Sequence, residues 1–243
     1  MKKGLLAAAF AVLFFAQGAK AQTNLQTFYD FSREHFTTTL EGYYGDKWGD
    51  TFFFVDYDYN DKIDDRNVGV SGSYFEIARG LNFWQDSALK DFSLHVEYNG
   101  GVGFHSQNFL FGFNYLLHNS DFSNTFTLEL MYKTFNNGCS SDLPLQFTFV
   151  WGMQDIFGID GLRFSGFADI WGENTNFWYG DANPLAAAPG KFTFISEPQL
   201  WYRIGDAFGC ENFHIGTEVE LSYNFAGCSG FYCRPCLGAK WVF

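Results

Sequence analysis

Apolar and polar residues alternate with a period of two along almost the whole chain, the pattern of a β-strand with one dry and one wet face. Between Phe92 and Asn99, the residues Phe92, Leu94, Val96 and Tyr98 fall on one face, and Ser93, His95, Glu97 and Asn99 on the other. Thr125 to Lys133 repeats the scheme, with Phe126, Leu128, Leu130 and Tyr132 set against Thr125, Thr127, Glu129 and Lys133. In Phe213 to Phe225, Ile215, Val219, Leu221 and Tyr223 oppose His214, Glu218, Glu220, Ser222 and Asn224. Runs of this kind, bounded by Gly, Asn, Asp or Pro clusters, predict strands at 25–32, 35–45, 51–60, 67–79, 91–99 and 107–117. The second half predicts strands at 123–134, 144–154, 161–171, 191–203, 212–225 and 231–243. Twelve is an even number, as closure of a bacterial barrel requires. The apolar parity switches between Val68 and Ile77, which predicts a bulge near Gly72.

The reading is therefore all-β: a closed antiparallel up-and-down transmembrane β-barrel of about twelve strands. The connections agree with it. Barrels with both termini in the periplasm have short periplasmic turns and longer outer loops. With an upward first strand, the segments Asn60 to Arg66, Asn136 to Asp142 and Gly172 to Gly190 fall outside, while Gly80 to Lys90 is long for a periplasmic turn.

The first residues bear on location. Lys2 and Lys3 precede the apolar run Leu5 to Phe15, and Ala19-Lys20-Ala21 supplies an A-x-A cleavage signal. Residues 1–21 thus read as a secretory signal peptide, and 22–243 as one outer-membrane barrel domain of a Gram-negative bacterium. Neither that run nor any later stretch approaches the roughly 18 uninterrupted apolar residues of a spanning helix. The signal segment carries three lysines and no acid, so cleavage leaves 12 bases against 27 acids. Such an acidic chain argues against nucleic-acid partners. Aromatics make up 21% of the residues, with 32 Phe against three Met, yet mean hydropathy is −0.12. A barrel facing lipid outside and water inside needs both kinds of residue in quantity.

If the apolar parity faces lipid, the opposite parity lists the lumen. Its acids are Glu41, Asp56, Asp58, Glu76, Glu97, Glu129, Asp169, Glu197, Glu218 and Glu220, and its bases include Lys133, Arg163, Arg203, Arg234 and Lys240. A charge facing mid-bilayer lipid costs roughly 2 to 4 kcal/mol for Arg or Lys, so the charges themselves support this parity. They serve either as a filling of ion pairs or as the lining of a pore that repels anions. Aromatic residues share the wet face: Phe52 and Phe54 with Asp56 and Asp58, Phe167 with Arg163 and Asp169, and Trp201 with Glu197, Gln199 and Arg203. Rings beside carboxylates suit a solute with a flat ring and hydroxyls, and equally suit a plug or an interfacial girdle. A twelve-stranded barrel falls between those filled by side chains and the wide open porins, so the expected passage is narrow.

The segments Asp46 to Asp58 (DKWGDTFFFVDYD), Phe164 to Asp169 (FSGFAD) and Ser196 to Trp201 (SEPQLW) resemble the nucleoside-specific channel-forming (Tsx-like) family. The whole mature chain is more similar still to a branch of that superfamily of unknown function. The aromatic carboxy terminus at Phe243 resembles the assembly signal of outer-membrane barrels. The resemblance implies a monomeric barrel passing nucleoside-like solutes, with lumen aromatics holding bases and ionisable groups holding sugars. By position it points first to Phe52, Phe54, Asp56 and Glu197. The wider pore-lining set is Asp58, Glu41, Glu97, Phe167, Asp169, Trp201, Arg203 and Glu218. The expected partners are membrane lipids and a small solute, with no cofactor.

The rival reading is a lipid-modifying enzyme. It needs a Ser or Cys nucleophile near a His held by an acid or amide, and no G-x-S-x-G is present. Of the five histidines, His95 and His214 sit among wet-face residues. Cys233 and Cys236 point to opposite faces of one strand, which speaks against a metal site. Cys228 and Cys233 flank a turn across which a disulfide is geometrically open, and the odd count of five cysteines leaves at least one thiol free in a monomer.

Overall fold

The computed structural model describes residues 21–59, 62–63, 66–67, 69–102, 107–136, 140–177, 179–180 and 189–243. Residues 1–20, which the sequence pattern assigns to a signal peptide, and Cys139 lie outside these, as do 60–61, 64–65, 137–138, 178 and 181–188 of the predicted outer loops.

Twelve strands form in chain order: β1 (Ala21–Asp30), β2 (His35–Asp46), β3 (Gly49–Tyr59), β4 (Val70–Leu81), β5 (Phe92–Val102) and β6 (Gln107–His118). They continue with β7 (Asn124–Lys133), β8 (Leu145–Met153), β9 (Leu162–Thr175), β10 (Gly190–Ser196, resuming as Gln199–Tyr202), β11 (Phe213–Tyr223) and β12 (Phe231–Val242). Each pairs antiparallel with its sequence neighbours, and β1 pairs with β12, so the ladder closes and no edge is left. Closure satisfies every strand's backbone groups internally, the condition for crossing hydrocarbon. All twelve predicted strands are present.

Three local departures have physical causes. Asp58 faces Gly72 while Tyr59 faces Val70, so Ser71 is the extra residue of the predicted bulge. β10 is interrupted at Glu197 and Pro198, because proline has no N–H to give to the ladder. The register is the same on both sides of the break: Ala168 faces Ser196 and Ser165 faces Gln199. Gly166, opposite the proline, has φ +150, and a Cβ there would stand 2.4 Å from the Glu197 carbonyl oxygen. Finally, β9 runs to Thr175, beyond the expected end at 171, since Trp171, Glu173 and Thr175 extend the inward-facing alternation.

The outer surface explains the aromatic excess. On β6, Phe109, Phe111, Phe113, Tyr115 and Leu117 are between 43% and 47% exposed on one face. A stripe of that kind on strand after strand marks a surface covered by lipid. The long turn between β4 and β5 is pinned to the same face: Trp84 Nε1 donates to the Phe92 carbonyl at 2.8 Å, and Asn82 Nδ2 donates to the Lys90 carbonyl at 2.5 Å. Trp84, Phe92 and Phe113 stack in a row. The interior carries the polar half of the alternation, including buried Asn24, Gln26, Glu97, Lys133, Glu220 and Arg234.

Candidate functional site: the barrel lumen

Two walls of the lumen set rings against carboxylates. Across β2, β3 and β4 the hydrogen-bonded register lines up Glu41, Phe54 and Glu76 in one row and Thr39, Asp56 and Tyr74 in the next. Phe54 lies 5.9 Å from Phe52 and 5.6 Å from Tyr74, tilted in both cases. Thr39 Oγ1 donates to Asp56 at 2.6 Å, and Thr37 Oγ1 to Asp58 at 2.6 Å. Phe52, Phe54, Asp56, Tyr74 and Glu76 are all half-buried, so solvent reaches this patch from inside the barrel.

The opposing wall runs over β8 to β11. Phe167 faces Val150, and Asp169 faces Thr148. Val150 is on the lumen parity, paired with Thr127 on its other side, yet is 37% exposed. Glu197 N donates to the Phe167 carbonyl at 3.1 Å. Gln199 Nε2 donates to Glu218 at 2.6 Å, and Trp201 Nε1 donates to Gln199 at 2.8 Å.

Eleven of the twelve expected pore-lining residues lie on lumen parity: Glu41, Phe52, Phe54, Asp56, Asp58, Glu97, Phe167, Asp169, Glu197, Trp201 and Glu218. Arg203 departs from the expectation. β10 ends at Tyr202, and Arg203 caps a 3-10 turn at the rim, bonded to Asp206 at 2.7 Å and Asp160 at 3.0 Å. Trp201 also differs from a ring that offers its face to a solute. It is fully buried, against Phe28 at 5.5 Å and under the Lys240 ammonium at 4.1 Å. Phe28, Trp201 and Cys236 form an apolar cluster on this wall.

Two polar networks flank the central patch. His95 lies between Glu97 at 3.1 Å and Glu129 at 3.9 Å, and the chain of amides continues from Glu97 to Asn99 and Asn108. At the end opposite the termini, Arg33 binds Asp30 at 2.5 Å and Glu220 at 3.1 Å, and Arg234 and Ser222 also donate to Glu220. Burial works against the charged guanidinium of Arg33, which lies in the β1–β2 turn. Attraction to Glu220 and Asp30 outweighs it and raises the pKa. Lys133 sits over the Trp171 ring at 3.7 Å and donates to Gln146 at 3.0 Å.

Tyr74, Thr39 and Val150 line the lumen without having been singled out from sequence. Tyr74 and Thr39 share parity with Glu76 and Glu41 and were accessible to that argument. Val150 was not, because an apolar residue on a wet face carries no sign of its side. Among the described residues, no hydrogen bond joins a Ser or Cys to a histidine, and no cluster of three or more His, Cys, Asp or Glu is disposed to hold a metal. Cys210, Cys228, Cys233 and Cys236 are free thiols, so the disulfide left open between Cys228 and Cys233 is not formed.

A closed antiparallel barrel with a lipid-facing aromatic belt and a polar, partly water-accessible interior defines the outer-membrane, porin-like class of fold. Within that class the chain belongs to the family described as Domain of unknown function (DUF5020), whose model matches residues 22–243. Comparison with curated proteins gives no match. Among solved structures the chain is similar to the NanC porin at 8% identity and TM-score 0.54, covering 90% of this chain and 98% of that one. It is also similar to the outer membrane protein Omp33 of Acinetobacter baumannii, at 11% identity and TM-score 0.41, covering 93% and 98%. For OpdK of Pseudomonas aeruginosa the values are 8% and 0.43, again covering 93% and 98%. At 8% identity the likeness to the NanC porin is one of fold.

Proposed function

We propose that the protein is a passive outer-membrane channel for small polar solutes, and that nucleoside-like compounds are among those it passes. One observation carries the reading: the half-buried rings of Phe52, Phe54 and Tyr74 stand beside the half-buried carboxylates of Asp56 and Glu76, facing solvent inside the barrel. Stacking on an aromatic side chain contributes about 1 to 3 kcal/mol per base, and adjacent carboxylates accept hydrogen bonds from sugar hydroxyls. Of the three segments that resemble the Tsx-like family, Asp46 to Asp58 falls on this patch, and Phe164 to Asp169 and Ser196 to Trp201 fall on the opposing wall. In this reading residues 1–21 direct export, the barrel works as a monomer, its partners are lipid and solute, and it needs no cofactor.

Liposome swelling tests the proposal. Barrel-containing liposomes should swell faster in nucleosides than in disaccharides, and Phe54→Ala should remove the preference while leaving permeation of small sugars. Equal rates for nucleosides and sugars of the same size would discard the solute assignment.

A second reading, a plugged barrel that serves as a structural or binding surface, is favoured by the far-end network in which Glu220 is clasped by Arg33 and Arg234. Absence of swelling in every solute would select it.

A further inference from the structure

The cations of the interior, buried Lys133, Arg234 and Lys240 and half-buried Arg163, divide into two groups. Arg234 is paired with Glu220, and Lys133 has the Gln146 amide and the Trp171 ring. Lys240 and Arg163 are different. Lys240 is 7% exposed, and among the described residues its ammonium makes no hydrogen bond or ion pair, only its contact with the face of Trp201. Arg163 makes no ion pair either, and its Nε is buried without a hydrogen-bond partner. Both flank Trp201. Arg163 is its cross-strand neighbour on β9, and Lys240 lies over its ring from β12. His214 is the register partner of Lys240 on β11.

The surrounding charges leave the two cations a single carboxylate between them. Glu41 is the one carboxylate whose field reaches both Lys240 and Arg163, and it already accepts a hydrogen bond from Asn24 at 2.9 Å. Asp160 and Asp206, at the adjacent rim, are engaged by Arg203. Taking two like charges out of water side by side is unfavourable unless an anion joins them. A guanidinium and an ammonium, each beside Trp201, offer several donors to one oxyanion.

We propose that Arg163 and Lys240, with His214 beside them, form a binding site for the oxyanion of a small free solute, a carboxylate or phosphate, inside the end of the barrel that carries the termini. Trp201 is the platform under Lys240, with Arg163 its register partner on the next strand. The site goes beyond the channel reading, because it binds at equilibrium whether or not a solute crosses.

The test is a phosphorus NMR titration of inorganic phosphate at neutral pH, with the barrel in a phosphate-free maltoside detergent so that no lipid headgroup competes. Saturable binding in the millimolar range is expected. Lys240→Gln and Arg163→Gln should each weaken it about tenfold or more, the loss of one charge-assisted hydrogen bond, while Lys240→Arg retains it. Heat-modifiable migration in gels confirms that each variant is folded. No saturable binding by the wild-type barrel, or unchanged binding by the folded double variant, would overturn the proposal.

Discussion

The Trp201 indole occupies the space that a side chain at Gly216 would need: a Cβ on that glycine would stand 2.4 Å from the ring. Gly238 on the next strand is as close, with a Cβ there falling 2.6 Å from the Phe28 ring and 3.1 Å from Trp201. Two glycines on adjacent strands therefore make a shallow seat in which Trp201 and Phe28 lie against the wall instead of across the lumen. Gly216→Ala should push the indole inward and destabilise the barrel by about 1 to 3 kcal/mol, the usual cost of overpacking. Urea unfolding of the purified protein measures this, and an unchanged midpoint would show that the wall yields freely.

Glu220 holds the far end together, since Arg33, Arg234 and Ser222 all donate to it. Glu220→Gln keeps the shape but strands the Arg234 guanidinium and leaves Arg33 with Asp30 alone. The expected loss is about 3 kcal/mol, because removing one partner of a buried pair leaves the other charge uncompensated. Arg33, being 40% exposed, recovers part of its hydration, and Arg234, at 11%, does not. Double Glu220→Met, Arg234→Met replacement should accordingly be milder than Glu220→Gln alone, as urea midpoints would report.

Phe111 and Val150 are both exposed apolar residues, at 47% and 37%, on opposite faces of the wall. Phe111→Arg places a charge toward lipid and should cost roughly 2 to 4 kcal/mol if it sits near mid-bilayer. Val150→Arg places one in the lumen and should leave folding into lipid vesicles nearly unchanged. Equal damage from both substitutions would mean that the lumen at Val150 is dry.

Much of this was legible in the sequence because the strand period turns a list of residues into two faces. Phe92 to Asn99 displays its inside and outside without ambiguity, and the parity switch before Ile77 located the bulge at Ser71 within one residue of the expected place. What parity could not supply was depth and neighbours. Trp201 and Phe167 share a parity with lumen acids, yet Trp201 is sealed beneath Phe28 while Phe167 stays half open, because Gly216 and Gly238 lie next to the first. Arg203 has lumen parity by count but lies one residue past the end of its strand, where Asp160 and Asp206 take it. Contacts with residues distant in sequence, Phe28 and Gly238 for Trp201 and Asp160 for Arg203, contributed to both cases.

In the proposed channel, water fills the lumen between the two ring-and-carboxylate walls and small solutes cross there. Conductance of the purified barrel in planar lipid bilayers reads this out, with wild type compared with Val150→Trp, which narrows the lumen beside Phe167 without touching a charge. Wild type should show discrete small-conductance openings, and the variant a several-fold smaller conductance. Bilayers that stay silent with folded, inserted wild-type protein, or a conductance indifferent to Val150→Trp, would contradict it.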